Sequence, residues 1–323
     1  MRTYKQLTYE QRCQIEALKK SGISQQAIAT IITVSQSSVS RELSRNTGLR
    51  GYRHDQAHRN SIERRKATAK PYKMTAELID EIDDKIFLKW SPEQISGWLL
   101  VEQDICISHE IIYQHVWADK AAGGDLYKYL RRRARKYKVR GSNGKTCSGQ
   151  IKNRVSIDDR PLAVDEKSRV GDWEIDTVIG KGHSGALVTI VERVTLFTVS
   201  MRVKSKRAKE VTAATIALLT PFKGLVHTIT SDNGKEFAYH EEIAAGLECD
   251  FYFAHPYHSW ERGLNENTNG LLRQDFPKST DFQTVSAKAV RQSVDQLNNR
   301  PRKTLAFETP AALMQKEMAA LAA

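Results

Sequence analysis

Residues 173–179 read Trp-Glu-Ile-Asp-Thr-Val-Ile, and this stretch decides the fold of the larger part of the chain. Apolar and β-branched residues dominate it, as expected of a β-strand. Further strand-like stretches follow at 186–191, 197–203, 225–230 and 249–253. Helical patterns lie at 209–219, at 236–245 and from residue 265 onward. Three strands followed by alternating helices and strands predict an α/β sheet covered by helices.

Three acidic residues lie at the ends or starts of these elements. Asp176 is in the first strand, Asp232 directly follows the fourth, and Glu266 begins the helix after the fifth. Such positions converge on one edge of a sheet, and carboxylate oxygens are ligands suited to Mg²⁺ rather than Zn²⁺. A single carboxylate is more often a helix cap or a solvated charge, so the prediction depends on all three together.

Neighbouring titratable residues are weaker candidates. Glu174 lies two residues before the first aspartate on the same strand face, so alternation alone does not exclude it. Glu236 shares the turn of the second aspartate and is predicted to be a first-turn helix acid. His255 and His258 have no cysteine pattern nearby and are predicted to be structural or close to DNA, not zinc ligands.

The amino-terminal part has the pattern of a helix-turn-helix. Thr8 and Gln11 form a capping-box pattern, Gly22 ends the first helix, and Ser24 caps the second. A third helix is predicted from residue 35 to residue 45, after a tight turn, where it can enter a major groove of DNA. An ordinary three-helix packing unit is the alternative. The residues predicted to face DNA are Gln36, Ser37, Ser40, Arg41 and Arg45.

A second helix-turn-helix-like pattern follows. Ser91, Pro92 and Gln94 supply helix-start signals, and Ser108 is predicted to cap a further helix. This part is less basic, so a structural or dimerising bundle explains it equally well.

Positive charge indicates a nucleic-acid partner. The net charge is +12, and the excess lies largely before residue 150. The segment 128–140 is rich in Lys and Arg and is predicted to bind phosphate backbone. Its predicted contacts are Arg131, Arg132, Arg133, Arg135 and Lys136.

The composition of the chain predicts its cellular compartment, and the order of its segments predicts its domain boundaries. There is no apolar leader or membrane-length apolar stretch, and the four cysteines form no CxxC pair, so we expect a cytoplasmic protein with no membrane partner. The predicted domains are a helix-turn-helix, a second helical domain, a basic linker and an α/β domain, at 1–65, 66–125, 126–165 and 166–323.

Several motifs carry a family resemblance over nearly the whole chain. They include Ser-Val-Ser-Arg-Glu-Leu-Ser-Arg-Asn at 38–46, Gly-Asp-Trp-Glu at 171–174 and Glu-Arg-Gly-Leu-Asn-Glu-Asn-Thr-Asn-Gly at 261–270. Between Asp232 and Glu266 lie 33 residues, and Arg273 follows the glutamate by seven positions. In these features the chain resembles bacterial DDE transposases of the family named after insertion sequence thirty.

The resemblance implies an RNase H-like catalytic core, also called an integrase core, that moves DNA strands. Asp176, Asp232 and Glu266 are its expected catalytic residues and the ligands of two Mg²⁺ ions, for which Mn²⁺ can substitute. Arg262, Asn269 and Arg273 are expected DNA contacts. The expected partners are the terminal inverted repeats and the target, both double-stranded DNA, and a homodimer or higher oligomer on DNA.

Other functions stay open at this point. A transcriptional repressor or an inactive copy explains the amino-terminal half but leaves the acidic triad without a role. A recombinase with a covalent Tyr or Ser intermediate needs an activated nucleophile, for which the sequence has no pattern. A nuclease that cuts without joining uses the same metal site, so only joined products distinguish it.

Overall fold

The computed structural model describes residues 6–67, 74–131, 151–256 and 258–322. The chain forms two compact units, Met1–Lys73 and Met74–Ala323. Within the described ranges, no helix combines the length and apolar character needed to cross a membrane.

The first unit contains the predicted helix-turn-helix. Its elements are α1 (Tyr9–Lys20), α2 (Gln25–Ile31), α3 (Gln36–Asn46), the short strands β1 (Thr47–Gly48) and β2 (Gly51–Tyr52), and α4 (His54–Ala67). The capping box is formed as predicted, since Gln11 N donates to Thr8 Oγ1 and Thr8 N donates to Gln11 Oε1. Ser24 and Ser35 cap α2 and α3 with their side chains. Local start signals therefore predict this unit well.

A buried ion pair links the first and third helices. Arg12 Nε donates to Glu42 Oε1 at 2.8 Å, and the Tyr52 hydroxyl donates to the same oxygen at 3.0 Å. Both charged side chains are less than a tenth exposed. Since Val39 and Leu43 pack into the core of this unit, the polar face of α3 points away from it.

The second unit begins with three helices around an apolar core. They are α5 (Ala76–Phe87), α6 (Pro92–Gln103) and α7 (His109–Ala121). Ser91 and Gln94 form the predicted capping box at the start of α6. Ser108 is the N-cap residue of α7, as predicted, and its side chain makes no capping hydrogen bond there.

A mixed five-stranded sheet forms the centre of the second unit. After α8 (Leu162–Glu166) the strands are β3 (Asp172–Ile179), β4 (Ala186–Glu192), β5 (Thr198–Val203), β6 (Thr228–Ser231) and β7 (Asp250–Phe253). Their order is β5-β4-β3-β6-β7, antiparallel from β3 to β5 and parallel from β3 to β7. This is the RNase H-like arrangement expected from the sequence.

Helices cover both faces of the sheet. They are α9 (Ala208–Leu219), α10 (His240–Leu247), α11 (Gly263–Asp275), α12 (Ala287–Asn298) and α13 (Pro310–Ala322). Trp173 and Ile175 point into the core on one face, while Val178 packs with Leu272 on the other. Because side chains alternate along a strand, Glu174 and Asp176 share the face of Val178, which is covered by α11.

Two elements begin three or more residues away from the predicted position. Strand β6 begins at Thr228, not at 225, because Thr220–Leu225 forms a 3₁₀ turn with Pro221 as its second residue. The helix predicted at 236–245 is a 3₁₀ turn at Lys235–Phe237 followed by α10. Glu236 therefore lies in that turn and not in an α-helix.

Within the second unit, the α5–α7 bundle contacts the end of the sheet domain. Lys89 pairs with Asp275 at the end of α11. Gly97 lies against the ring of Phe307, where a Cβ would come within 2.0 Å of a ring carbon. The glycine in α6 therefore permits this close approach.

Candidate active site

Asp176 lies in the middle of the central strand β3, beneath helix α11. Asn269 Nδ2 donates to Asp176 Oδ2 at 2.9 Å, and the backbone N–H of Thr177 donates to Oδ1 at 2.7 Å. Burial raises the pKa of Asp176 to about 6; Arg262 opposes this increase and the nearby Asp232 adds to it. The carboxylate is thus a half-buried group whose negative charge favours a cation beside it.

Asp232 follows the neighbouring parallel strand β6, in the turn Asp232-Asn233-Gly234. Its Oδ1 accepts a hydrogen bond from Gly234 N at 2.9 Å, and its side chain is 42% exposed. Asn233 Nδ2 donates to the carbonyl of Ala254 at 2.6 Å, which ties this turn to the segment after β7. The turn holds the carboxylate at the carboxyl end of β6, beside Asp176.

Arg262 brings these two carboxylates together. Its Nη2 lies 3.2 Å from Asp232 Oδ2, and its Nη1 lies 3.8 Å from Asp176 Oδ1. Nη1 also donates to the carbonyl of Ile175 at 3.2 Å. The sequence predicted a DNA contact for Arg262, whereas in the structure its guanidinium bridges two predicted metal ligands.

Glu266 is on the first turn of α11 and is exposed. It forms no hydrogen bond or ion pair within the described part of the chain, and the structure does not bring it into contact with Asp176 or Asp232. Among the described residues, no group of three His, Cys, Asp or Glu side chains is close enough to hold a metal ion. The three-carboxylate site thus stays a prediction, of which the structure assembles two members.

The donor chemistry nevertheless fits a divalent cation. Asp176 and Asp232 offer hard carboxylate oxygens, and a positive guanidinium already lies between them. The two carboxylates create a negative potential that the Arg262 guanidinium balances, and a divalent metal ion in its place would be stabilised by the same potential.

Asn269 and Thr189 fix the orientation of the first aspartate. Asn269 Oδ1 accepts from the Thr189 hydroxyl at 2.9 Å while its amide N–H₂ donates to Asp176. Thr189 is the cross-strand partner of Asp176 in the β3–β4 register. The sequence predicted a DNA contact for Asn269 and gave no signal for Thr189, because strand register is not visible in the sequence.

Glu174 has a structural role. Arg193 Nη1 pairs with Glu174 Oε1 at 2.5 Å, and Asn265 N donates to Oε2 at 3.3 Å. Both charged side chains are buried, and burial raises the pKa of Glu174. The Glu174 carboxylate thus holds the start of α11 against β3. Glu174 and Asp176 lie on the same face of β3, so the sequence alone could not distinguish this structural carboxylate from the predicted metal ligand.

Arg273 also uses its guanidinium within the protein. Nη2 donates to the carbonyl of Ile179 at 2.8 Å, and burial lowers the pKa of the side chain. The DNA contact predicted for this residue stays a prediction.

The predicted DNA-reading face of α3 is open. Gln36, Ser37, Arg41 and Arg45 are exposed, and Ser40 is half-buried. Arg41 donates to the backbone carbonyl and the hydroxyl of Ser37, at 3.0 and 3.1 Å. In the basic segment, Arg131 is described and donates to Asn267, while Arg132, Arg133, Arg135 and Lys136 lie outside the described residues.

This chain is similar to several known proteins. Residues 3–46 match a helix-turn-helix domain family. The transposase of insertion sequence element IS4351 from Bacteroides fragilis is 46% identical over 95% of this chain and 94% of its own length. The transposase InsI of element IS30C from Escherichia coli K12 is 35% identical over 97% of this chain and 84% of its own. The catalytic core of BIV integrase is 17% identical, with a TM-score of 0.39 over 48% of this chain and all of its own.

Relatives this similar over nearly their full length place the molecule in the class of DNA transposases, which are polynucleotidyl transferases. Within that class, the chain belongs to the insertion-sequence transposases of the IS30 family.

Proposed function

We propose that this protein binds the terminal inverted repeats of its own insertion sequence and catalyses metal-dependent DNA cleavage and strand transfer. The observation that carries the proposal is the meeting of Asp176 and Asp232 at the guanidinium of Arg262. Two carboxylates from adjacent parallel strands, both partly exposed, form the start of a site that divalent cations can reach.

The residues proposed to hold two Mg²⁺ ions are Asp176, Asp232 and Glu266; Mn²⁺ is expected to substitute. When bound, a metal pair of this kind stabilises the attacking and leaving oxygens of an in-line displacement at phosphorus. Asn269 holds the Asp176 carboxylate in a fixed orientation, and Arg262 balances its charge before the ions bind.

The proposed reaction has two displacements. Water attacks a phosphodiester at the element end, the P–O3′ bond breaks, and a free 3′-hydroxyl is released. That hydroxyl then attacks a second phosphodiester, so each bond broken is replaced by one formed. The exposed face of α3 selects the inverted repeat, and a homodimer or higher oligomer brings two ends together.

The test uses a plasmid that carries the DNA flanking the gene, incubated with the full-length protein and Mg²⁺. Cleaved ends and joined junctions are expected, and EDTA or Asp232→Asn should abolish them while leaving specific binding intact. Asp80→Asn is the matched control, since Asp80 is exposed on α5, outside the proposed site. Cleavage without joined junctions would indicate a nuclease.

A second candidate is a DNA-binding repressor or an inactive copy. It is favoured by the exposed, uncontacted side chain of Glu266 and by the ion pairs that occupy both aspartates. Tight, specific binding with no cleaved product at any Mg²⁺ or Mn²⁺ concentration would support it over the transposition reaction.

A further inference from the structure

Three arginines gather beside helix α11 on a side that the proposed active site does not use. Arg300 and Arg302 follow the end of α12, and Arg131 lies in the basic segment 128–140. Burial, together with repulsion from the neighbouring arginines, lowers the pKa of Arg300 and Arg302 to about 10.

The positive charge of this arginine cluster (Arg131, Arg300 and Arg302) is not neutralised. No Asp or Glu in the described ranges forms an ion pair with any of the three. Arg300 is 3% exposed, and the Nε groups of Arg300 and Arg302 are buried without a hydrogen-bond partner. Partial compensation comes only from neutral oxygens, such as the Leu297 carbonyl 2.9 Å from Arg302 Nη2. Arg302 is half-buried and Arg131 is exposed, so an anion can reach the cluster. A buried guanidinium without an ion pair, such as that of Arg300, is costly, and a bound anion would offset this cost.

The cluster contacts one particular face of α11. Arg131 Nη1 donates to Asn267 Oδ1 at 3.0 Å, and Arg300 Nη1 donates to Gln274 Oε1 at 3.4 Å. Gly270 lies between these contacts, where a Cβ would be 3.1 Å from Arg131 Nη2. Asn267, Gly270 and Gln274 are three and four residues apart, so they lie on one face of α11. This face is next to the one that carries Glu266 and Asn269.

We propose that Arg131, Arg300 and Arg302 form a binding site for a backbone phosphate of the DNA substrate, beside the active site on α11. This inference rests on the proposed function, because it places the DNA strand along the helix that carries Glu266. The geometry gives the site a positioning role, since none of the three arginines touches Asp176 or Asp232.

The chemistry favours a phosphate as the anion. Guanidinium groups bind phosphate oxygens through paired N–H donors, and three of them can share the charge of one phosphodiester. Arg131 also begins the basic stretch in which Lys and Arg recur up to residue 140, so the cluster continues a part of the sequence already suited to a polyanion.

The test measures DNA binding by the full-length protein as a function of salt, with Arg131→Gln, Arg302→Gln and the double variant. Each phosphate contact contributes about 0.9 to the slope of log affinity against log salt, so each variant should lose about one unit of slope and bind about tenfold more weakly. The double variant should lose little more than either single variant, because both arginines hold the same phosphate. Lys303→Gln is the matched control, since Lys303 is exposed next to the cluster and pairs with Glu93 instead.

Single methylphosphonate substitutions in the duplex identify the phosphate. At one position, the neutral phosphate should weaken binding by the wild type but not by Arg302→Gln. Arg300→Lys keeps the positive charge of the buried residue, so it should keep the wild-type salt slope and melt near the wild-type temperature. Arg131→Gln and Arg302→Gln with wild-type slopes, or equal sensitivity of the wild type to every methylphosphonate, would overturn the proposal.

Two further comparisons separate this site from its alternatives. If inorganic phosphate stabilises the wild type but not Arg302→Gln, while DNA binding is the same for both, the site binds free phosphate and the DNA assignment is wrong. If the wild type cleaves and joins ends, but the arginine variants have the same DNA affinity and salt slope as Lys303→Gln, the phosphate site is disproved and the proposed function is not. If the wild type never cleaves but the slope losses appear, the phosphate site stands and the proposed reaction fails.

Discussion

Arg262 Nη2 lies 3.2 Å from Asp232 Oδ2, so an internal cation holds a carboxylate that the proposed reaction needs for a metal ion. The same guanidinium approaches Asp176. One consequence is competition, because a divalent ion and the arginine cannot both neutralise the same carboxylate oxygens.

The first prediction concerns this competition. Arg262→Gln should lower the melting temperature without metal, because two close carboxylates then repel each other. Mg²⁺ should stabilise this variant more than the wild type, by about a further 2–4 °C for each kcal/mol of relieved repulsion. Thermal melting with and without Mg²⁺ measures both effects, with Arg291→Gln on the exposed side of α12 as the control. An equal Mg²⁺ shift in variant and wild type would show that the arginine does not compete with metal.

The second prediction separates two roles for Asn269. If its amide orients Asp176, Asn269→Asp should slow cleavage at saturating DNA by about tenfold to a hundredfold, because a donor to the carboxylate becomes a like charge. Asn269→Ala should have a smaller effect, since it removes the donor without adding charge. Single-turnover rates and DNA affinities are measured separately. Loss of affinity at an unchanged rate would favour the DNA contact predicted from the sequence.

Local signals in the sequence predicted the local structure. Capping boxes at Thr8 and Ser91 are encoded within four residues, so the helices they begin lie where expected. Errors arose where 3₁₀ turns replaced regular elements, as at Lys235–Phe237, because these turns have no distinct apolar period.

The candidate site was predictable only in part, for a physical reason. Asp176 and Asp232 could be placed by their positions at strands, but their partners are distant in the sequence. The pairing of Glu174 with Arg193, and of Asn269 with Thr189, depends on strand register and on the seating of α11. No short motif specifies the strand register or the packing of α11. The ion pair of Glu174 and the hydrogen bond from Asn269 to Asp176 could therefore not be predicted from the sequence.

The third prediction concerns Gly234, in the turn after β6. A Cβ there would lie 2.6 Å from Glu236 Cδ and 2.9 Å from Asp232 Oδ1. Glu236 is buried and accepts a hydrogen bond from Thr177 Oγ1 at 3.0 Å, so it cannot move freely. Gly234→Ala should therefore reduce the free energy of unfolding by about 1–3 kcal/mol and impair cleavage. Chemical denaturation measures the first effect. Gly263→Ala is the control, because nothing lies within 4 Å of its added Cβ, and equal stability of both variants would contradict the prediction.

The fourth prediction is a pH dependence of the loop before α11. Nδ1 of His255 lies 2.9 Å from Glu261 Oε1 and Nε2 lies 2.9 Å from Asp158 Oδ2, so each carboxylate accepts a hydrogen bond when the ring is protonated; the ring also contacts that of His258. The hydrogen bond with Glu261, and then that with Asp158, raises the pKa of His255 above 6.5. A raised pKa means that protonation stabilises the folded loop, so this stabilisation is complete below pH 6.5 and is lost as the pH rises through the folded-state value.

Hydrogen exchange of the amides in residues 255–262 at pH 6 and pH 8, corrected for intrinsic rates, tests this dependence. The wild type should be better protected than His255→Gln at pH 6, and the difference should shrink at pH 8. A difference that stays constant with pH would show that the ring acts through packing and not through charge.

The last prediction concerns recognition by α3. Arg41 is exposed on this helix, and its guanidinium donates hydrogen bonds to Ser37 one turn earlier. The side chain is therefore already ordered before DNA binds. If it contacts a base, Arg41→Ala should weaken binding to the element ends by about 1–3 kcal/mol and leave binding to unrelated DNA nearly unchanged. Titrations against both duplexes at fixed salt measure this, with the exposed Lys20→Ala on α1 as the control. Equal loss on both duplexes would instead make Arg41 a phosphate contact, because backbone phosphates are the same in every sequence.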